Sequence, residues 1–429
     1  MEAWLNMQLF PFQEYGADWL SSRTRAYLGD VMGLGKTAQA IVGACRAGAK
    51  RVLVICPASM VGTWHIEIDA WAEPLLPAWM VVSYDMIVRN ENAHADVLNF
   101  EADTIICDEA HYLKGLETKR TEYVLEEIAC GVPRVWLLSG TPTPNGPHEL
   151  WTVMRNLFPE WLSTFGIQSY TGWLDHFCNW WQGEYGPIVK GAKNIPDLRK
   201  LLFSAEGIML RRTFDEVGIQ LPELDLRQFP LQMRPQDKDA YAMMEELLPP
   251  EVWDALDAGE LPPDDAHMAT IRRLLGECKA KLLVPVLRGE LVEDPAHKVV
   301  IFAYHRKTLD MLQEGLQTFG LVRLDGSTPQ KARTQMVSTF QKQESCRVFL
   351  AQIVAGGVGV TLTAAKDVVI VEPQWTPGDN LQAIARVRRI GQRAGTVTAR
   401  LVVLKGTLDD PIMGVIRRKM LTLKQTIGG

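Results

Sequence analysis

No two cysteines in this chain stand as a C-x-x-C pair. The seven (Cys45, Cys56, Cys107, Cys130, Cys178, Cys278 and Cys346) are scattered, several of them within or beside apolar runs. That excludes a zinc ribbon and fits a reducing cytoplasm. No apolar run is longer than a strand, so no membrane span is expected. The opening residues Met1-Glu2-Ala3-Trp4-Leu5-Asn6 carry no basic stretch and no cleavable signal. An excess of positive charge is lacking as well. With a net charge of −6, any contact with a polyanion must come from local patches. Short-period repeats and low-complexity tracts are also missing. What remains is a 429-residue chain that is 47% apolar, which predicts a globular protein with two cores of about 200 residues each.

The first half alternates strand and helix signals. Strands are expected at Arg51–Cys56, Met80–Tyr84, Asp103–Cys107 and Val135–Ser139, with helices such as Lys36–Ala47 and Thr118–Ala129 between them. The second half repeats the rhythm with Lys298–Ala303, Val322–Leu324, Arg347–Ala351, Asp367–Val371 and Thr396–Leu404. The expected class is therefore α/β, two similar lobes built on parallel sheets flanked by helices. Residues 1–225 would form the first lobe, with a helical insertion at about 151–205, and residues 226–429 the second, with a helical insertion at about 231–294. Trp151, Trp161, Trp173, Trp180 and Trp181 fall in the first insertion, where packing onto the lobe is favoured over stacking on bases. Helices are expected at Gln236–Leu247 and Met268–Leu287, separated by an exposed acidic loop, Pro249–Asp265.

The most informative stretch is Gly29-Asp30-Val31-Met32-Gly33-Leu34-Gly35-Lys36-Thr37. Glycines such as Gly33 and Gly35 let consecutive backbone N–H groups point inward as an anion nest, and the helix that follows adds its positive end. Lys36 would reach the β- and γ-phosphates of a nucleoside triphosphate, and the Thr37 hydroxyl would bind Mg²⁺. The formal pattern fails at its first position, where Asp30 stands. Asp108-Glu109-Ala110-His111 supports the reading, because it follows the strand-like Thr104-Ile105-Ile106-Cys107. Asp108 would hold the Mg²⁺ from the opposite side and Glu109 would accept a proton from attacking water. Both motifs map to the carboxyl ends of strands, where parallel sheets bind ligands.

In the second half, Gln382-Ala383-Ile384-Ala385-Arg386-Val387-Arg388-Arg389-Ile390-Gly391-Gln392 reads as a helix closed by Gly391. Gln382, Arg386 and Arg389 would share one face, forming an arginine-finger pair for the γ-phosphate. Arg388 would point elsewhere, free for a nucleic-acid backbone or solvent. The run Arg417-Arg418-Lys419 with Lys424 reads equally as a solvated helix face or a backbone contact. Ser139-Gly140-Thr141-Pro142 ends another strand and could link the phosphate site to nucleic acid through its hydroxyls. Ala355-Gly356-Gly357-Val358-Gly359 could approach a phosphate backbone or make a tight turn. Gln13, near Phe10 and Phe12, could read an adenine edge or be an ordinary surface residue.

The ordered segments GDVMGLGKT (29–37), VLVICPASMVGTW (52–64), VVSYD (81–85), DEAHYLK (108–114), LLSGTPTPN (137–145), MLRRTFDEV (209–217), KVVIFAYH (298–305), RLDGST (323–328), AGGVGVTLT (355–363) and QAIARVRRIGQ (382–392) resemble the Swi/Snf-type ATPases of helicase superfamily 2. The resemblance runs from about Leu9 to Lys419 and looks nearest the annealing-helicase branch, which remodels branched DNA. It implies two RecA-like lobes, ATP as the cofactor with Mg²⁺, and duplex or branched DNA as a sequence-independent partner. Carried over, Gln13 and Gln382 would lie at the nucleotide, Lys36 and Thr37 at its phosphates. Asp108 and Glu109 would serve metal and water, and Arg386 and Arg389 would be the fingers. Ser83, Thr141, Gly356, Gly357 and Arg388 would touch DNA. Asp30 stands where the family also places an aspartate. Val31 replaces a usual glutamate, Ala385 a usual aspartate and Arg388 a usual histidine.

The reading is an ATP-dependent DNA translocase, a monomer without zinc or membrane attachment. Its rivals are a strand-separating DNA or RNA helicase and a non-catalytic scaffold. The accessory domains of larger relatives are not in this sequence, and its compactness suggests a bacterial or phage protein, cytoplasmic and nucleoid-associated.

Overall fold

A computed structural model describes residues 8–72, 77–143, 145–183, 186–257, 261–262, 266–353 and 360–427. The chain divides into two compact units, Met1–Gln220 with Leu421–Gly429, and Leu221–Met420. Each holds a six-stranded, wholly parallel sheet. This is the α/β, two-lobe class that the sequence predicts.

In the first unit the strands are β1 (Arg25–Leu28), β2 (Arg51–Cys56), β3 (Ala78–Ser83), β4 (Thr104–Asp108), β5 (Arg134–Leu138) and β8 (Met209–Leu210). They lie in the order β3-β2-β4-β5-β1-β8. The buried run of β2 serves both faces, as parallel strands must. Leu53 and Ile55 join one core with Ile105, Cys107, Val135 and Leu137, while Val52, Val54 and Cys56 join a second with Ile106, Trp136 and Leu138. The period of two thus splits one apolar run between two layers of helices.

The insertion expected to be helical also contains an antiparallel hairpin, β6 (Cys178–Gly183) and β7 (Gly186–Ala192). Trp151 and Trp173 are buried in the lobe's core, and Trp161 and Trp180 pack against it. Trp181 instead sits on the hairpin, with the Lys190 ammonium 4.6 Å from its ring centre. The packing reading of these aromatics therefore holds for four of the five named tryptophans.

The second unit's strands are β9 (Glu223–Gln232), β10 (Val299–Ala303), β11 (Leu321–Leu324), β12 (Val348–Gln352), β13 (Asp367–Ile370) and β14 (Thr396–Lys405). Their order is β11-β12-β10-β13-β14-β9. β9 has no counterpart among the expected strands. It pairs with β14 along its whole length, and as an edge strand it tolerates Pro230 and its charges. The acidic segment expected to be a loop forms a helix over Pro250–Asp257, because Val252 and Leu256 recur at a helical spacing and are buried. The long helix Ala266–Glu293 buries Met268, Ile271, Leu275, Cys278, Leu283, Leu287 and Leu291, a seam spaced by three and four residues but for one step of five.

The Gln382–Gln392 stretch departs from expectation as well. The helix covers only Pro377–Ile384, and beyond it Arg386 and Val387 bond back three residues, to Ala383 and Ile384. Burial of Val387 and the bond from Leu362 N to Arg386 O tighten the chain into turns. Arg386 and Arg389 thus lie in turns, not on one helical face with Gln382. No two of the seven cysteines form a disulfide. Among the described residues no helix is long and apolar enough to cross a membrane, and no group of three or more His, Cys, Asp or Glu side chains could hold a metal.

A half-buried ion pair ties the second sheet to its long helix: the Arg400 guanidinium on β14 donates to both oxygens of Glu290, at 2.5 and 2.9 Å. Replacing Glu290 with Ala leaves that guanidinium uncompensated and should cost about 2 kcal/mol, read as a lower midpoint in urea unfolding. Glu290→Gln, which keeps one acceptor, should cost less.

Candidate nucleotide site

β1 ends at Leu28, and the phosphate loop follows at once at the carboxyl edge of the sheet. Gly33 and Gly35 have φ of 97° and 73°, a left-handed backbone that glycine adopts without strain. Gly35 is also crowded, since a Cβ there would lie 2.3 Å from the Gln13 amide nitrogen. The next helix (Lys36–Arg46) starts directly from it, so Lys36 and Thr37 occupy its first turn. The Lys36 ammonium donates to the carbonyls of Asp30 at 2.8 Å and Val31 at 3.4 Å. Burial holds that ammonium below its ordinary range, against the pull of Glu109, Asp30 and Asp108.

β5 lies between β1 and β4, so Asp108 closes β4 two strands from the loop, paired in register with Leu138. Its carboxylate is buried and held at both oxygens. Oδ2 accepts from the Trp64 indole at 2.9 Å and Oδ1 from the Glu109 N–H at 2.9 Å. Burial, then the neighbouring Glu109, pushes the Asp108 carboxyl up to about 6. Glu109 adopts φ 48° and ψ 51°, a left-handed conformation that is strained for a side chain of its size. Its carboxylate lies 3.3 Å from the Ser139 hydroxyl and 3.3 Å from His111 Nδ1, while Ser139 also accepts from Thr141 N at 3.1 Å. A strained backbone and two neighbouring side chains, Ser139 and His111, therefore fix where this carboxylate points.

Arg211 and Arg212, just past β8, are the neighbours that sequence reasoning left without a role. Arg211 donates to the carbonyls of Gly29 at 2.5 Å and Gly140 at 3.1 Å, and burial brings it down to about 10. Arg212 grips the buried Asp30 carboxylate. The signal was present as the Arg-Arg of MLRRTFDEV, but its partners Gly29 and Asp30 lie 182 residues earlier in the chain and Gly140 lies 71 earlier. Glu149 was missed too. It accepts from Lys114 at 2.6 Å and from Asn145 N and Nδ2 at 2.9 and 2.7 Å, tying the loop after β5 to the segment after β4.

Gln13 borders the phosphate loop, but its amide is used on Phe10 N at 2.9 Å and Leu34 O at 3.1 Å. Ser83 caps the next helix by accepting from Met86 N, and Thr141 is buried. Gln382 is buried in the second unit, on the helix ending at Ile384. Arg388, expected to be free, donates Nε to the Pro222 carbonyl at 2.7 Å, because the turn carries it towards the start of its own unit. Gly356 and Gly357 lie outside the described residues.

A phosphate loop after one parallel strand, with an Asp-Glu pair two strands away, defines an ATPase of the helicase superfamily 2 class. The chain belongs to the SNF2-related family: the SNF2-related domain matches residues 12–81 and 78–269, and the helicase conserved C-terminal domain matches residues 279–391. Among curated proteins it is 30% identical over 99% of its length to "DNA annealing helicase and endonuclease ZRANB3" of Bos taurus, covering 41% of that protein. It is likewise 30% identical to the "SWI/SNF-related matrix-associated actin-dependent regulator of chromatin subfamily A-like protein 1 homolog" of Caenorhabditis elegans, covering 63% of it. The chain thus spans roughly two fifths to three fifths of the length of these relatives. The "Sulfolobus solfataricus SWI2/SNF2 ATPase core in complex with dsDNA" aligns over 98% of this chain and 97% of its own, at 22% identity and a TM-score of 0.44.

The expectation of a cytoplasmic bacterial or phage protein is overturned by these relatives, which are animal proteins. Compactness misled because the matched stretch is one that longer animal chains share.

Burial would raise the Glu149 carboxyl, but Lys114 and His148 outweigh it and hold it below its ordinary 4.5. Its stabilising effect is therefore complete above that value and lost as pH falls through the lower folded-state value. Glu149→Gln should cost about 3 kcal/mol at pH 7, and the gap between the two denaturation curves should narrow progressively as pH falls below 4.5.

Proposed function

We propose that this chain is a DNA-dependent ATPase whose hydrolysis drives movement along duplex or branched DNA. The observation that carries it is the convergence of Lys36, Asp108 and Glu109 at one sheet edge, with Glu109 held in a strained conformation beside Ser139 and His111. The backbone N–H groups of the loop receive the phosphates, and Lys36 leaves its loop carbonyls for the β- and γ-phosphates. The oxygen donors Thr37 and Asp108 suit Mg²⁺, a hard cation, and both Asp108 oxygens keep lone pairs beyond the bonds they accept. Bound there, the ion would neutralise phosphate charge. Glu109 orients water and takes its proton, with Ser139 and His111 fixing the carboxylate.

Arg386 and Arg389 act in the ATP-bound state as the cations that neutralise charge developing on the γ-phosphate, with Gln382 near them; this assignment rests on the family resemblance. The DNA assignment draws on the relatives, one of which is named a DNA annealing helicase. Its contacts are to the sugar–phosphate backbone, so binding is independent of sequence and weakens steeply with salt.

Steady-state ATP hydrolysis with no nucleic acid, single-stranded DNA, duplex DNA, forked DNA and RNA tests the reading. Duplex or forked DNA should stimulate turnover most strongly. Stimulation by single strands or RNA alone would favour a strand-separating helicase, and no turnover with any of them a scaffold. Lys36→Ala should remove turnover with an unchanged circular dichroism spectrum; DNA-stimulated hydrolysis surviving in that variant would sink the assignment.

A further inference from the structure

Asp30 is an anion placed inside a loop built to bind anions. A carboxylate there would repel a triphosphate unless its charge were taken up and its oxygens turned away from the nest. The structure shows how both are done. Asp30 is fully buried, and Oδ1 accepts from Arg212 N and Nε, each at 3.0 Å. Oδ2 accepts from Arg212 Nη2 at 2.5 Å and from Gln39 Nε2 at 3.2 Å. The same guanidinium donates to Gln39 Oε1 at 2.7 Å, on the helix that begins at Lys36, and to the Phe12 carbonyl on the first helix (Pro11–Ser21).

The backbone continues the tie. Gly29 N donates to Leu210 O at 2.7 Å and Val31 N to Arg212 O at 3.1 Å, so the segment after β8 runs alongside the first half of the phosphate loop. Space is made for the cluster at Gly16, where a Cβ would lie 1.8 Å from Gln39 Oε1 and 2.8 Å from Arg212 Nη2. The Asp30 carbonyl is also the nearer seat of the Lys36 ammonium. Whatever fixes Asp30 therefore fixes where Lys36 starts from.

We propose that Asp30 and Arg212 are a positioning pair for ATP: the guanidinium turns the loop's own carboxylate away from the nest and sets the backbone that seats Lys36. Neither residue touches the nucleotide. The pair explains why this loop carries an aspartate where the general phosphate-loop pattern has glycine, and it gives the Arg-Arg motif a role. The inference rests on the ATPase reading above.

The test uses the full chain and the variants Asp30→Asn, Arg212→Lys and the double variant. It measures melting temperature, kcat and KM for ATP with duplex DNA, and affinity for a fluorescent ATP analogue. Lysine keeps the charge but not the fork that reaches Asp30, Gln39 and Phe12 together. Each single variant should stay folded at the assay temperature, with a melting temperature lowered by about 5–15 °C. KM and the analogue's Kd should rise about tenfold or more, with a smaller fall in kcat. The double variant should be no worse than the worse single, because both break one interaction. Singles that bind the analogue within about twofold of wild type, or effects that multiply in the double variant, would overturn the proposal. If Arg212→Lys fails to fold, Asp30→Asn, whose side chain has the same shape, decides alone. A wild-type chain that neither binds the analogue nor turns over ATP would overturn the ATPase reading instead.

Discussion

Charge buried at the carboxyl edge of the first sheet has to be cancelled where it stands. Asp30, Asp108 and Glu109 bring negative charge there; Lys36, Arg211 and Arg212 bring the opposite sign. Removing one member of such a set leaves its partner uncompensated in a poor solvent, which costs several kcal/mol. The charges are therefore interdependent, and their geometry is held more firmly than any single pair would hold it. The raised Asp108 carboxyl and the lowered Lys36 ammonium both record burial working against charge. A site whose acid and ammonium are both held uncomfortably will gain from a ligand that brings phosphate and a divalent cation together.

Strand order makes this density of charge possible. Because β5 separates β1 from β4, the phosphate loop and the acid pair face each other across one strand end, and that end carries Ser139 and Gly140. Gly140 has no room for a side chain, since a Cβ would meet Met32 Cγ at 2.6 Å and Lys36 Nζ at 3.4 Å. The loop after β5 is thus packed on the phosphate loop, and Glu149 anchors its far end to Lys114. A shift at the acid pair must move either Ser139 or the strained Glu109 backbone, which gives the site few soft directions.

Legibility in the sequence followed burial. Parallel strands covered on both faces read as apolar runs, and β2, β4, β10 and β13 were found to within a residue or so. β1 was missed because four residues with arginine at their head leave little pattern. β9 was missed because an edge strand can carry Pro230 and alternate with charge. The phosphate loop and acid pair were visible because their chemistry is local. Arg211 and Arg212 were visible as a motif but not as a function, since what they hold lies at Asp30, Gly29 and Gly140. The helix expected to run on to Gly391 failed for the same reason. Its propensity was adequate, but the tertiary bonds Leu362 N to Arg386 O and Arg388 Nε to Pro222 O decided the outcome.

The second unit shows what the same scaffold does without a phosphate loop. Its β10 occupies an interior position, and the segment after it, Tyr304-His305, is also held by a carboxylate from a neighbouring strand end. Glu372, just past β13, accepts from Tyr304 N at 2.8 Å and His305 N at 3.0 Å, and meets His305 Nδ1 at 2.6 Å. Here the acid spends its lone pairs on backbone amides, the very groups that a phosphate would otherwise claim. In the first unit the buried Asp30 carboxylate is satisfied by Arg212 and Gln39 instead. Among the described residues, the two sheet edges thus differ in the donor each buried carboxylate is given: a guanidinium for Asp30, backbone amides for Glu372.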